Sequence, residues 1–149
     1  TPEALALKGT AAIAQARLAY QAFRRTFSGP RWEALAADGA VVQRPLWAST
    51  STKNPSYPDT LYVDQLIGPD TVNTLPENTL EAFADHGTLA RTIDEGVAHA
   101  ELTWRQLAEV GVDMDDVAEQ LEREGVASFQ KSFEELLEAM AEKAEQLRA

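Results

Sequence analysis

The sequence predicts an α/β chain that is mostly helical and carries two short parallel strands. Three observations lead there. Two short punctuated stretches, Pro45 to Ser49 and Asp70 to Leu75, have the length and character of buried strands. A helix-length segment lies between them, so the pair forms a right-handed parallel crossover. The rest of the chain carries apolar residues three and four apart, the helical period.

The elements follow in order. Residues 4–27 read as one long helix. Ala12, Ala16, Ala19, Phe23 and Phe27 make an apolar stripe, widened by Leu5, Ile13 and Tyr20. Ser28-Gly29-Pro30 ends it, because Gly and Pro continue a helix only at a cost. A short helix covers Arg31 to Ala37, and Asp38-Gly39 turns the chain. The first strand covers residues 45–49. Asp59 is placed to cap a helix from Thr60 to Ile67, which Gly68-Pro69 stops. The second strand, residues 70–75, is β-branched. Thr74 with Glu77 fits a capping box with Pro76 early in the next helix, which runs to about Asp85 before His86-Gly87.

Thr92 with Glu95 fits a second capping box. It opens a helix to about Val110 with Val97, Ala100, Trp104, Leu107 and Ala108 inward. A further helix carries Met114, Val117, Ala118 and Leu121 on one side, and Gly125 closes it. The last carries Val126, Phe129, Phe133, Leu136, Leu137, Met140, Ala144 and Leu147 in the cleanest amphipathic pattern of the chain. No repeat or linker interrupts it, so residues 1–149 read as a single segment.

Composition narrows the function. With no cysteine, neither a disulfide framework nor a thiolate metal site can form. His86 and His99 are too few and too far apart in sequence to suggest a metal site. The net charge of −11 argues against nucleic acid as a partner. No apolar run approaches the length of a membrane span. Nothing at the start resembles a signal peptide, so the cytoplasm is the expected compartment. The start at Thr1-Pro2, without Met, is expected of a processed or cut chain. Charge is uneven: residues 1–53 carry a net +4 and residues 54–149 a net −15.

The basic part ends at Ser49-Thr50-Ser51-Thr52-Lys53-Asn54. Hydroxyls and an ammonium gathered where a strand runs out are what a phosphate site at the C-terminal end of a parallel sheet needs. By composition alone a solvated Ser/Thr turn with a surface Lys is the commoner reading of such a stretch. The flanking sequence is what lifts it. Two parallel strands also cannot make a sheet covered on both faces and closed at its edges. A complete (β/α)8 barrel takes roughly 250 residues, and strand–loop–helix units of this kind are what the last part of such a barrel looks like.

Gln43-Arg44-Pro45-Leu46-Trp47-Ala48-Ser49-Thr50, then Lys53-Asn54-Pro55, Tyr57 and Asp59-Thr60-Leu61-Tyr62-Val63-Asp64, closely resemble bacterial transaldolases of the longer, actinobacterial type. Asp70 to Pro76 and Phe83-Ala84-Asp85-His86-Gly87 continue the resemblance in order, and so do Lys8 to Tyr20 and Val126 to Leu137. The resemblance implies the C-terminal part of a TIM barrel. It also implies a Schiff-base transferase of the pentose phosphate pathway, working between a ketose phosphate and an aldose phosphate with no cofactor and no metal. It assigns Ser49, in Ala48-Ser49, and the basic residue that follows, here Lys53, to the substrate phosphate. Thr50, Ser51 and Asn54 are candidate auxiliary donors. The commoner family pattern has an arginine two positions after the Ser, whereas this loop is two residues longer and offers a point charge rather than a fork.

By the same resemblance the Schiff-base lysine, the catalytic acids and a second phosphate-binding arginine would all precede Thr1, so no catalytic residue is expected in this chain. Lys8, Lys131 and Lys143 read as solvated surface residues. Trp47 reads as core packing, Asn73 as a polar residue inside the barrel, His86 as a partner of a helix end, and His99 and Trp104 as packing or exposed residues. The partners implied are a sugar phosphate and the missing N-terminal part of the barrel. Two rival readings stand beside this one. The first is a non-catalytic, mainly helical fragment that self-associates or docks on a partner through exposed apolar faces. The second is a small self-contained phosphate-binding protein, with few convergent groups to support it.

Overall fold

Gly9 breaks the expected first helix in two. Its backbone is left-handed, with φ +78°, a conformation that glycine adopts without a Cβ penalty. In the computed structural model, which describes residues 1–148, helix α1 covers Pro2–Ala6 and α2 covers Ala11–Thr26. The buried face of α2 is also rotated from the expected stripe. Ala14 and Tyr20 are buried, Ile13, Ala16 and Phe23 lie against the core, and Ala12 and Ala19 are exposed. The larger Ile13 and Tyr20, rather than the alanines, choose the face, because they have more apolar area to remove from water. An aromatic row then runs Tyr20, Phe23, Phe27, Trp32, with centroid separations of 5.8, 5.3 and 4.8 Å. It joins α2 to α3, Gly29–Ala37.

Strand β1 is Leu46–Trp47 and β2 is Val72–Asn73, each shorter than the sequence suggests. They pair in parallel, Leu46 beside Val72 and Trp47 beside Asn73. Val72 N–H donates to Pro45 O and Thr74 N–H to Trp47 O, both at 2.9 Å. The expectation of buried strands fails at Leu46, which is 52% exposed. A two-stranded sheet has no third strand to cover its edges.

Between the strands lies α4, Leu61–Gln65, shorter than expected, with Thr60 rather than Asp59 at the N-cap position and no side-chain cap bond. Then come α5, Glu77–His86, and α6, Val97–Glu109, which packs on α2. Both capping boxes give way to tertiary bonds. The Thr92 hydroxyl donates to Asp64 O at 2.6 Å and accepts from Ile67 N–H at 3.2 Å. Helix α6 starts instead after left-handed Gly96. The Thr74 hydroxyl reaches Trp47 O at 3.4 Å, and α5 starts from Pro76 without a side-chain cap. Along α6, Ala100, Thr103 and Leu107 are buried, while Ala108 is exposed, contrary to expectation.

The core joins Tyr20, Leu66 and Ile93. Ile93 has no exposed surface, and its N–H and that of Thr92 both donate to Ile67 O, at 3.0 and 2.9 Å. Gly68 is required here for close approach, since a methyl on it would stand 2.0 Å from Ile93 Cγ2. Tyr20 closes the core by donating its hydroxyl to Pro69 O at 3.1 Å. Arg17 Nη2 donates to Gln65 Oε1 at 2.9 Å, joining α2 to the end of α4.

Thr1–Val110 form one compact unit, and a second begins at Gly111. The second unit is built on α7, Met114–Arg148, one continuous helix of 35 residues. Gly125 does not end it, contrary to the sequence reading. An interior glycine costs a helix about 1 kcal/mol, and the flanking turns carry Gln120–Glu124 and Gln130–Glu134 bonds at 2.7 and 3.1 Å. Asp113 Oδ1 accepts from the N–H groups of Asp115 and Asp116 at 3.0 and 3.2 Å, which satisfies the start of the helix.

Candidate functional site

The loop after β1 is built from its root outward. At Ser49 the backbone is left-handed, with φ +56°, and the side chain is exposed. A non-glycine residue holds that conformation at a cost of about 1–2 kcal/mol, so the surroundings must fix it. Thr50 does so. It is 3% exposed, and its hydroxyl lies 2.7 Å from Asn73 Oδ1 and 3.2 Å from Thr74 O. The end of β1 is thereby tied to the end of β2.

Beyond this root the chain rises to the surface. Ser51 and Thr52 are half-buried, and Lys53 and Asn54 are exposed. The Lys53 ammonium donates to Ser51 Oγ. Asn54 closes a turn, with Oδ1 accepting from Ser56 N–H at 3.0 Å and its carbonyl from Tyr57 N–H at 3.0 Å. The structure therefore brings Ser51 and Lys53 together. It leaves Ser49 open on the same loop, and it engages Thr50 and the Asn54 side-chain oxygen in the loop's own scaffold. The Asn54 amide nitrogen remains a donor, whereas the single Thr50 hydroxyl proton faces Asn73 and Thr74. An exposed ammonium beside the Ser51 hydroxyl, with the Ser49 hydroxyl open on the same loop, is a set of donors for an anion. Among the described residues no three His, Asp or Glu side chains converge as a metal site would need.

The sequence reading missed two groupings. Asn73 was legible as polar, but its Thr50 partner depends on the register that sets it beside Trp47. Asp59 and His86 lie 27 residues apart and meet at 2.9 Å, with Asp85 on the other ring nitrogen at 3.1 Å. His86 thus links the segment after the loop to the end of α5. Hydrogen bonds to Asp59 and then Asp85 raise its pKa above the ordinary histidine value, and the bond to His86 is the main cause that lowers Asp59.

The sign of the pH dependence follows. The His86 contribution is complete below its unfolded pKa of about 6.5 and fades as pH rises through the raised folded value. The Asp59 contribution is present above about 3.9 and fades as pH falls through its lowered folded value. The pair therefore stabilises between about pH 4 and 6.5. His86→Gln is expected to lower Tm at pH 5.5 and to leave it unchanged at pH 8.5 in low salt. An equal deficit at both pH values would show that packing, not charge, is involved.

Residues 2–140 match the family model described as Transaldolase/Fructose-6-phosphate aldolase, and the chain belongs to that family. Within it, the chain is similar to several proteins named transaldolase. It is 58% identical over 143 residues to that of Parafrankia sp., covering 95% of this chain and 39% of the relative. It is 54% identical over 147 residues to that of Acidothermus cellulolyticus, covering 98% and 40%. It is 56% identical over 138 residues to that of Mycolicibacterium smegmatis, covering 92% and 37%. The chain thus spans about two-fifths of the length of these relatives. No helix among the described residues is long and apolar enough to cross a membrane.

Proposed function

We propose that this chain is the C-terminal part of a transaldolase, a (β/α)8 barrel when complete, and that it supplies part of the pocket for the substrate phosphate. The observation that carries this reading is the Ser49–Asn54 loop. It leaves the C-terminal end of a parallel strand and presents an ammonium and hydroxyls at the surface. That is where barrels of this kind place their sites. The half-exposed Leu46, the open edges of the β1–β2 pair and the Trp47 indole N–H, buried without a partner among the described residues, support a barrel from which neighbouring strands are missing.

In the complete enzyme a dihydroxyacetone unit passes from sedoheptulose 7-phosphate or fructose 6-phosphate to an aldose phosphate. A lysine amine outside this segment attacks the ketose carbonyl and loses water to form an imine. Cleavage of the carbon–carbon bond sends its electron pair into the iminium, and the aldose phosphate leaves. The resulting enamine attacks the acceptor aldehyde, and water then releases the product and the lysine. Through Ser49 and Lys53 this segment holds the phosphate end, so the carbonyl meets the lysine at a fixed distance.

The test is complementation. This chain alone is expected to be inactive, and the chain joined to the N-terminal region of the Parafrankia transaldolase to be active. A folded, soluble joined protein without transaldolase activity would sink the reading.

A further inference from the structure

The Ser49–Asn54 loop has an anchor at its start, the buried Thr50, and its far end is held in a different way. The Asn54 turn directs Tyr57 N–H back to the Asn54 carbonyl. The half-buried Tyr57 ring then lies on Gly9, at the corner between α1 and α2. A methyl on Gly9 would stand 3.2 Å from Tyr57 Cζ and 3.5 Å from its Cε2 and hydroxyl oxygen. That corner therefore disfavours a side chain twice, by its left-handed backbone and by the ring above it, which would have to give by a few tenths of an ångström. Pro55 and Pro58 restrict the backbone of the residues before them, Asn54 and Tyr57, which limits the conformations open to the turn.

We infer that Tyr57, seated on Gly9, is a positioning residue for phosphate recognition that acts through Lys53. Lys53 lies between the two anchors, four residues before Tyr57 and three after Thr50. Loosening either anchor displaces its ammonium, and displacement of about 1 Å costs a positioned group much of its effect. The inference rests on the proposal that Ser49 and Lys53 bind the substrate phosphate.

The test uses the complete joined enzyme and two donors, fructose 6-phosphate and phosphate-free fructose. Tyr57→Ala and Gly9→Ala are each expected to raise KM for fructose 6-phosphate about tenfold. They leave kcat, and kcat/KM for fructose, within about twofold. Tyr57→Phe keeps the ring and is expected to match the parent. An unchanged KM in Tyr57→Ala overturns the inference, as does an equal loss on both donors, which a general packing defect would give. If Gly9→Ala fails to fold, Tyr57→Ala still decides. Lys53→Met separates the two levels. A phosphate-selective loss there with a neutral Tyr57→Ala refutes the anchor alone, and no phosphate-selective loss there refutes the underlying reading and the inference with it.

Discussion

Lys53→Met in the complete joined enzyme is expected to raise KM for fructose 6-phosphate by about 10- to 100-fold, with kcat changed only a few-fold. A hydrogen bond to a charged group contributes about 1.5–3 kcal/mol, and each 1.4 kcal/mol is tenfold. The lysine is exposed on the loop and bonded to Ser51, so its removal leaves no buried charge unpaired. The loss therefore belongs to the ligand rather than to folding. Lys53→Arg keeps the charge and changes its geometry, and should retain most of the affinity. Steady-state kinetics with phosphorylated and phosphate-free donors decide the matter. Equal KM values in the parent and the methionine variant would remove Lys53 from the site.

Ile93→Ala should produce the largest loss of stability in the first unit, about 2–5 kcal/mol, the range for removing large aliphatic groups from a packed core. Ile93 has no exposed surface and packs on Tyr20, Leu66 and Gly68. The backbone on either side is also fixed, because Thr92 and Ile93 share the Ile67 carbonyl and Thr92 bonds to Asp64. The site cannot collapse readily to fill the space. Ile93→Val should cost about 0.5–1.5 kcal/mol by the same reasoning. Urea unfolding of the 149-residue chain measures both. An alanine variant within about 0.5 kcal/mol of the parent would mean that the segment around Ile93 does not belong to the cooperative core.

Both strands, the crossover between them and the loop were legible because they rest on local signals: apolar runs, punctuation and a cluster of hydroxyls. What the sequence hid were residues with a local use and a distant one. Thr74, Thr92 and Asp59 each fit a helix cap, yet each bonds to another part of the fold, at Trp47, Asp64 and His86. A hydroxyl or carboxylate reads the same in either role, and the tertiary partner decides. The rotated face of α2 has a related cause. Several alanines at helical spacing gave a regular stripe, while the fewer, larger Ile13 and Tyr20 set the packing. In the loop, Ser49 and Lys53 were singled out through the resemblance and their role in phosphate binding is a proposal, while Thr50 as the loop's root needed the strand register. The anchor of Tyr57 on Gly9 needed the corner between two helices that had read as one.

The left-handed backbone at Ser49 narrows what can occupy that position on two independent axes. Thr would keep a hydroxyl, but its branched Cβ fits φ +56° poorly. Gly would relax the backbone and delete the hydroxyl, and Ala would delete the hydroxyl while keeping the strain. Asn tolerates the conformation and still offers a polar group, at a different reach. Ser49→Ala against the parent therefore reads what the hydroxyl contributes, and the contrast between Ala and Gly, which both lack it, reads what the bend contributes.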